Sequence, residues 1–433
     1  MYHKLINIMS TVLRCSGYWP TTSSAAPILK IFNFMLRFFN FGVFLCLTAV
    51  IIGDAITNFN NLSLITDNLC FSIGCFEAAA KAFRFYSEYD NIVLLINYIY
   101  EPFDKLQKMG NIEVMTKLDN LARFELKQIS IVTGIVSILA LSRIFGADIG
   151  KKEFPIRAYF PFEAYTSPRY ELLYVAITYG VFCVDFTLLV IDMMIVVIMR
   201  YLTFQLKILL ANYKHCHVKS IKETKDNFSS GMKIIKNYHA ITNTTDDDEN
   251  GDDQAKDDIQ NFVIFELNKE DVNEINNFDW RFKQCVIHHQ KLVNMMTILN
   301  NSFSFCVVVQ IMGSIVLLCL NGFQILLGKD DSHLFLRRVM AITAVILQLY
   351  FWCWYGNNMS TEADALTYHQ WMCGWENEFR RGISNSVTTS MILSLRSLDL
   401  RAMGLVPLSL QTFISAIKNS YSVLVLLLTV VDD

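Results

Sequence analysis

The sequence predicts an all-α polytopic membrane protein with seven transmembrane helices. Three observations lead there. Hydrophobic residues make up 53% of the chain and charged residues 18%, where an ordinary soluble chain carries about 25% charged. Mean hydropathy is +0.33 over 433 residues. Apolar stretches of about 20 residues, the length that crosses a bilayer core, recur along the chain. A cytosolic enzyme, a disordered chain and a small secreted scaffold are excluded. A net charge of −3 implies no basic surface for nucleic acid.

The spans run 34–53, 62–85, 126–146, 172–202, 303–327, 339–354 and 407–431. Asp67, Glu77, Lys81 and Arg84 interrupt the second, and the sixth is short. Pro407 suits the first turn of the last helix. Residues 1–29 hold no continuous apolar core, so no cleavable signal peptide is expected. Only two residues follow the last span, so no further domain is expected after it. Basic residues outside the spans concentrate on the side of the N-terminus, even with the long 203–302 loop discounted. This predicts a cytoplasmic N-terminus and an outer C-terminus, the reverse of a G-protein-coupled receptor.

The long loop carries TTDDDENGDDQAKDD, within an insert at 243–260. Such a run repels itself and buries no apolar surface, which predicts a disordered, solvated insertion. It lacks the spaced ligands and fixed glycine of a calcium loop. The 11 cysteines avoid the predicted outer loops, so no extracellular disulfide framework is implied. No phosphate loop, nucleophile elbow, zincin motif or dinucleotide fingerprint occurs, so no catalytic residue, metal or cofactor is expected. His288 and His289 are adjacent and point to different sides of a helix, which suits a structural role rather than a metal pair. Asp185 and Asp192 stand seven apart on one face of the fourth span. Interhelical hydrogen bonding is their expected role, with proton coupling as the alternative.

The loop 147–171 is rich in aromatics, and Pro155, Pro161 and Pro168 forbid a continuous helix there. It reads either as an aromatic belt at the membrane interface or as a lid over an outward cavity. In the last span Leu424 and Leu428 stand i,i+4. Lining a pore, they would form a hydrophobic constriction; composition alone favours lipid or helix contacts.

Four segments carry a resemblance: SLQTFISAIKNSYSVLVLLL in the last helix, LYFWCWYGNNMSTEADALTYHQWMCG before it, IHHQKLVNMMTILNNSFSFCVVVQIMGSIVLLCLNGF, and FPIRAYFPFEAYTSPRYELLY in the outer loop. Taken in chain order, from about residue 155 to 430, they resemble the insect odorant receptor family, whose members assemble as ligand-gated cation channels. The chain is similar to the odorant-sensing branch rather than the shared coreceptor, because Leu427 stands where the coreceptor carries a Gln.

The resemblance implies a mixed tetramer with the coreceptor, in the plasma membrane of olfactory sensory neurons. Permeant cations would pass a pore lined by the last helix, with Leu424, Leu427 and Leu428 at its gate. Residues 1–33 would be a cytoplasmic segment, 34–202 the first four helices with the ligand-sensing part, and 203–302 a cytoplasmic loop. Helices five and six would occupy 303–354, a cytoplasmic anchor helix 355–406, and the pore helix 407–433. A small volatile odorant would sit in the outer half, between spans two, three, four and six. Helical spacing selects its candidate residues: Asn68, Phe71 and Cys75; Leu141 and Phe145; Tyr174, Thr178 and Val181; Ile346 and Tyr350. Two other classes compete. A G-protein-coupled chemoreceptor needs the opposite orientation, and a transporter would be expected to show internal repeats.

Overall fold

Helix length divides the chain into elements that fit a bilayer and elements that outrun it. A computed structural model describes residues 2–19, 26–145, 152–217, 259, 261–265, 274–275, 277–327, 332–378, 382–395 and 398–432. The acidic insert at 243–260 lies almost wholly outside the described residues. In order the helices are α1 (Tyr2–Cys15), α2 (Pro27–Thr57), α3 (Leu62–Ser87), α4 (Tyr89–Met109), α5 (Ile112–Phe145), α6 (Arg169–Lys214), α7 (Phe278–Leu327), α8 (Ser332–Trp371), α9 (Ile383–Ser394) and α10 (Leu410–Asp432). A two-residue hairpin, β1 (Arg401–Ala402) with β2 (Val406–Pro407), precedes α10.

At 1.5 Å per residue, the 50 residues of α7 reach about 75 Å, more than twice a hydrocarbon core of about 30 Å. α6 and α8, with 46 and 40 residues, also outrun it. Each therefore joins a membrane span to a water-exposed half. Among the described residues, five helices are long and apolar enough to cross a bilayer: α2, α6, α7, α8 and α10. α3 carries more charge because Asp67, Glu77 and Lys81 point into the bundle and are buried there. In α5 the acidic and most of the basic residues lie in the first half, ahead of its apolar stretch.

The 86–125 segment between spans two and three contains a helix of its own, α4. It buries Ile92, Leu95, Ile99, Phe103 and Leu106 on one face and ends at Gly110 in a left-handed turn. A search for apolar spans passes over such an amphipathic helix. The segment 355–406, expected as an anchor helix, is also not one helix. α8 stops at Trp371, Gly374 takes φ 84°, and α9 begins only after Gly382. Pro407 does not open the last helix. It pairs with Arg401 in the hairpin, turned by Met403 and Gly404 at positive φ, and the Ser409 hydroxyl caps α10 by accepting from the Thr412 N–H at 3.2 Å.

The water-exposed half has a polar core. Gln370 donates to Tyr213 at 3.2 Å and Ser390 at 3.0 Å, and accepts from Ser394 at 2.8 Å. Arg281 donates to the carbonyls of Ile275 at 2.7 Å and His215 at 3.1 Å. His288 and His289 are both buried, and the His288 ring lies 4.7 Å from that of Phe265. Burial pushes the His288 imidazole down to about 3, with Lys291 and His289 adding repulsion. The folded form thus keeps His288 neutral, while the unfolded chain takes up a proton near 6.5. Its stabilisation is present above that value and is lost as pH falls from about 6.5 towards 3. Replacing His288 by Leu is expected to flatten the acid limb of a thermal-unfolding series in detergent. An unaltered acid limb would assign that pH dependence to other groups.

Candidate ligand-binding site

α3 presents Cys70, Phe71, Gly74, Cys75 and Glu77 to a cavity of about 240 Å³. α6 faces them with Val181, Val184, Asp185, Leu188 and Asp192, and α8 with Ala341, Ala344, Val345, Gln348 and Trp352. These positions recur at three- and four-residue spacing, so each set occupies one helical face. Leu47 and Ile51 of α2, Val132 and Ile135 of α5, and Leu317 and Asn321 of α7 close the gaps. The space exists because the facing residues are small. A Cβ on Gly74 would meet nothing within 4 Å, and Ala341 and Ala344 of α8 are in the same lining.

The outer loop shuts one end. Its Ile156 is buried and lines the cavity, and the Tyr159 N–H donates to the Val50 carbonyl at 3.0 Å. Phe154 holds the loop together through ring contacts of 5.1–5.7 Å with Tyr170, Phe160 and Tyr165. The loop is therefore a lid, while Tyr159, Phe162 and Tyr165 remain exposed on its outside.

A charged network forms the other boundary. Lys81 is 0% exposed and pairs with Asp192 at 2.8 Å. It also donates to Gln310, and its ammonium lies 5.1 Å from the centre of the Trp352 ring. Gln348 donates to the second Asp192 oxygen at 2.5 Å and to Gln310 at 3.2 Å. Asp192 thus joins α3, α6 and α8, which is the interhelical role its sequence position suggested. At the rim Arg338 of α8 pairs with Asp67 of α3.

Of the residues chosen from the sequence, Phe71, Cys75 and Val181 are brought together in this lining. Asn68 is buried but donates to Asp54 at 2.8 Å. Tyr174 packs its ring against Tyr170 at 5.9 Å. Thr178 and Ile346 are outside the lining. Tyr350 points to α10, with its ring 5.7 Å from Phe413. Leu141 and Phe145 end α5, and their side chains lie outside the described residues. Glu77, Lys81, Asp192, Gln348 and Trp352 were not among the chosen residues. For Glu77, Lys81 and Asp192 the signal was the charge inside spans two and four, because an ionisable side chain at membrane depth faces a protein interior or water; Gln348 and Trp352, uncharged and in span six, carried no such signal.

The last helix is in contact with the walls of the cavity. Asn321 of α7 lines the cavity, and next to it Gly322 leaves room for Leu424, whose Cδ2 would lie 3.2 Å from a Cβ there. Leu424, Leu427 and Leu428 are all half-buried. Lys418, Ser422 and Val425 share the exposed opposite face, with Tyr421 and Leu426 at 67% and 64% exposure beside them.

The comparisons with known proteins agree with this arrangement. The family model described as 7tm Odorant receptor matches residues 61–421. Odorant receptor 94a of Drosophila melanogaster is 27% identical over 155 residues, which is 35% of this chain and 40% of that receptor. Odorant receptor 13a of the same fly is 26% identical over 164 residues, 35% of this chain and 39% of its own. These matches therefore span about two fifths of the relatives' length. The solved structure of the insect olfactory receptor OR5 from Machilis hrabei in complex with eugenol aligns over 99% of this chain and 98% of its own, at a TM-score of 0.69 and 13% identity. That likeness is one of fold, the seven-helix membrane fold expected from the hydropathy. With the family model matched over most of its length, the chain belongs to the 7tm odorant receptor family.

Proposed function

We propose that the chain is the odorant-sensing subunit of a ligand-gated, non-selective cation channel, assembled with the odorant receptor coreceptor in a mixed tetramer. One observation carries this reading: a lidded, largely apolar cavity whose walls, α7 and α8, also hold the last helix. A volatile ligand is small and apolar, so its affinity comes mainly from burying surface, about 25 cal/mol per Å². To gate, it must bind the open state better than the closed one. The cavity and α10 lie on different faces of the same two helices. Gln348 and Trp352 line the cavity while Tyr350, between them, packs on Phe413. A ligand that tilts α8 or α7 therefore moves α10. Phe71, Cys75 and Val181 would touch ligand, and Leu424, Leu427 and Leu428 would narrow the conducting path. The N-terminus would be cytoplasmic and the C-terminus outside, in the plasma membrane of olfactory sensory neurons.

Whole-cell recording under an odorant panel tests this. Cells expressing chain and coreceptor should give odorant-evoked cation current, and cells with the coreceptor alone should not. Equal responses in both, or current that needs G-protein coupling, would overturn the reading. Polar replacement of Leu428 is expected to raise basal current by hydrating the constriction. Unchanged leak and ion selectivity would remove the leucines from the gate.

A further inference from the structure

We propose that the cavity selects uncharged ligands bearing a carbonyl oxygen, such as a ketone, and that Arg338 donates to that oxygen. The inference rests on the receptor reading and narrows it. Arg338 belongs to the cavity face of α8. It stands at three- and four-residue spacing with Ala341, Val345, Gln348 and Trp352, and all five line the cavity. Its ion-pair partner Asp67 stands one turn ahead of Cys70 and Phe71 on α3 but is not itself in the lining. At this end, therefore, the guanidinium and not the carboxylate faces the cavity. Nη2 of Arg338 donates to Asp67. Among the described residues Nε and Nη1 have no partner, yet neither is sealed off, and the side chain keeps 10% of its surface open. Arg337 lines the same end from the flanking stripe of α8.

The far end of the cavity is different. There both oxygens of Asp192 are already taken, by Lys81 and by Gln348. Ten residues of α8 separate Arg338 from Gln348, a rise of about 15 Å. Asp185, in the α6 wall, acts on Cys75, about 12 Å further along α3 than Asp67. A guanidinium donates and cannot accept. Asp67 balances the charge of Arg338, so the pair offers N–H donors more than net charge. A carbonyl oxygen only accepts, and it takes such a donor without bringing an unpaired donor of its own. An alcohol brings an O–H as well, and a hydrocarbon offers neither. A ligand without an acceptor displaces water from these N–H groups at a loss. Hydrogen bonds to a charged donor are also the stronger ones. The apolar part of the ligand would then run along Ala341 and Val345 towards Trp352.

The test compares 2-alkanones, 2-alkanols, straight-chain alkanes and carboxylic acids of matched length on cells expressing the chain with the coreceptor. The ketone is expected to be about tenfold or more potent than the alkane, and more potent than the alcohol. The acid should be weaker than the ketone, because it brings a second carboxylate to Asp67. The ketone-to-alkane ratio should collapse towards one in the double variant Arg338→Met with Asp67→Leu, which removes the charge together with its partner, while the alkane response persists. Arg338→Lys, which keeps a cation for Asp67 but loses the planar fork, should lower the ratio as well and decides if the double variant fails to reach the surface. A ketone no better than the alkane in the wild type would overturn the inference and leave the receptor reading standing. So would an acid more potent than the ketone, or a wild-type ratio in the deciding variant. Silence towards every compound, with both subunits at the surface, would remove both.

Discussion

Lys81→Met is expected to leave little receptor at the cell surface. The ammonium is fully buried between α3, α6 and α7, and it is the one cation paired with Asp192 at 2.8 Å among the described residues. Removing one partner of a buried ion pair leaves the other charge uncompensated, at about 3–5 kcal/mol. Asp192 would then keep only Gln348 as a donor, and Gln310 would lose Lys81. That loss is a large part of the marginal stability of a folded chain, about 5–15 kcal/mol. Surface biotinylation and the thermal midpoint in detergent should fall together. The double replacement Lys81→Met with Asp192→Leu is expected to recover much of both, because it removes the charge as well as its partner. Wild-type surface levels in the single variant would show that the network contributes little to stability.

The same network explains which parts of the molecule were legible in the sequence. Spans with long apolar runs were readable because a bilayer demands about 20 apolar residues, whatever the helix packs against. α2, α6 and α7 all contain the predicted stretch. Their full length was not readable, because beyond the membrane α6 and α7 continue as ordinary amphipathic helices with no hydropathy peak. α4 was missed for that reason. Helical spacing could group Phe71 with Cys75, but it could not say which face of α8 turns to the cavity. Tyr350 and Trp352 are two residues apart and serve different neighbours, Phe413 and Lys81. Asn68 stands outside the lining for a related reason: its amide donates to Asp54, a partner 14 residues away on another helix. Charges inside a span were the better guide, because each needs a buried partner and so marks where helices meet. The start of α10 turned on the Ser409 cap rather than on Pro407, which the local hairpin had already used.

Gly74→Leu is expected to silence the response to larger ligands while the subunit still reaches the surface. Gly74 sits in the middle of α3 and in the cavity wall, and a Cβ there would meet nothing within 4 Å. The added side chain therefore grows into the cavity rather than into a neighbouring helix. Exchanging a glycine for leucine inside a helix also favours the fold, by roughly 0.5–1 kcal/mol. The ligand bears the cost instead. Crowding a packed site by several methylenes costs about 1–3 kcal/mol, which corresponds to roughly 5- to 150-fold in affinity. The penalty should grow with ligand size, because a cavity of about 240 Å³ loses a fixed volume while the ligand's demand increases. Dose–response curves for alcohols of graded chain length should shift progressively to higher concentration and lose the longest members first. Gly74→Ala should show the same order with smaller shifts. A uniform shift at every length would place Gly74 away from the ligand, and a loss of surface labelling would show that the space is needed for helix packing instead.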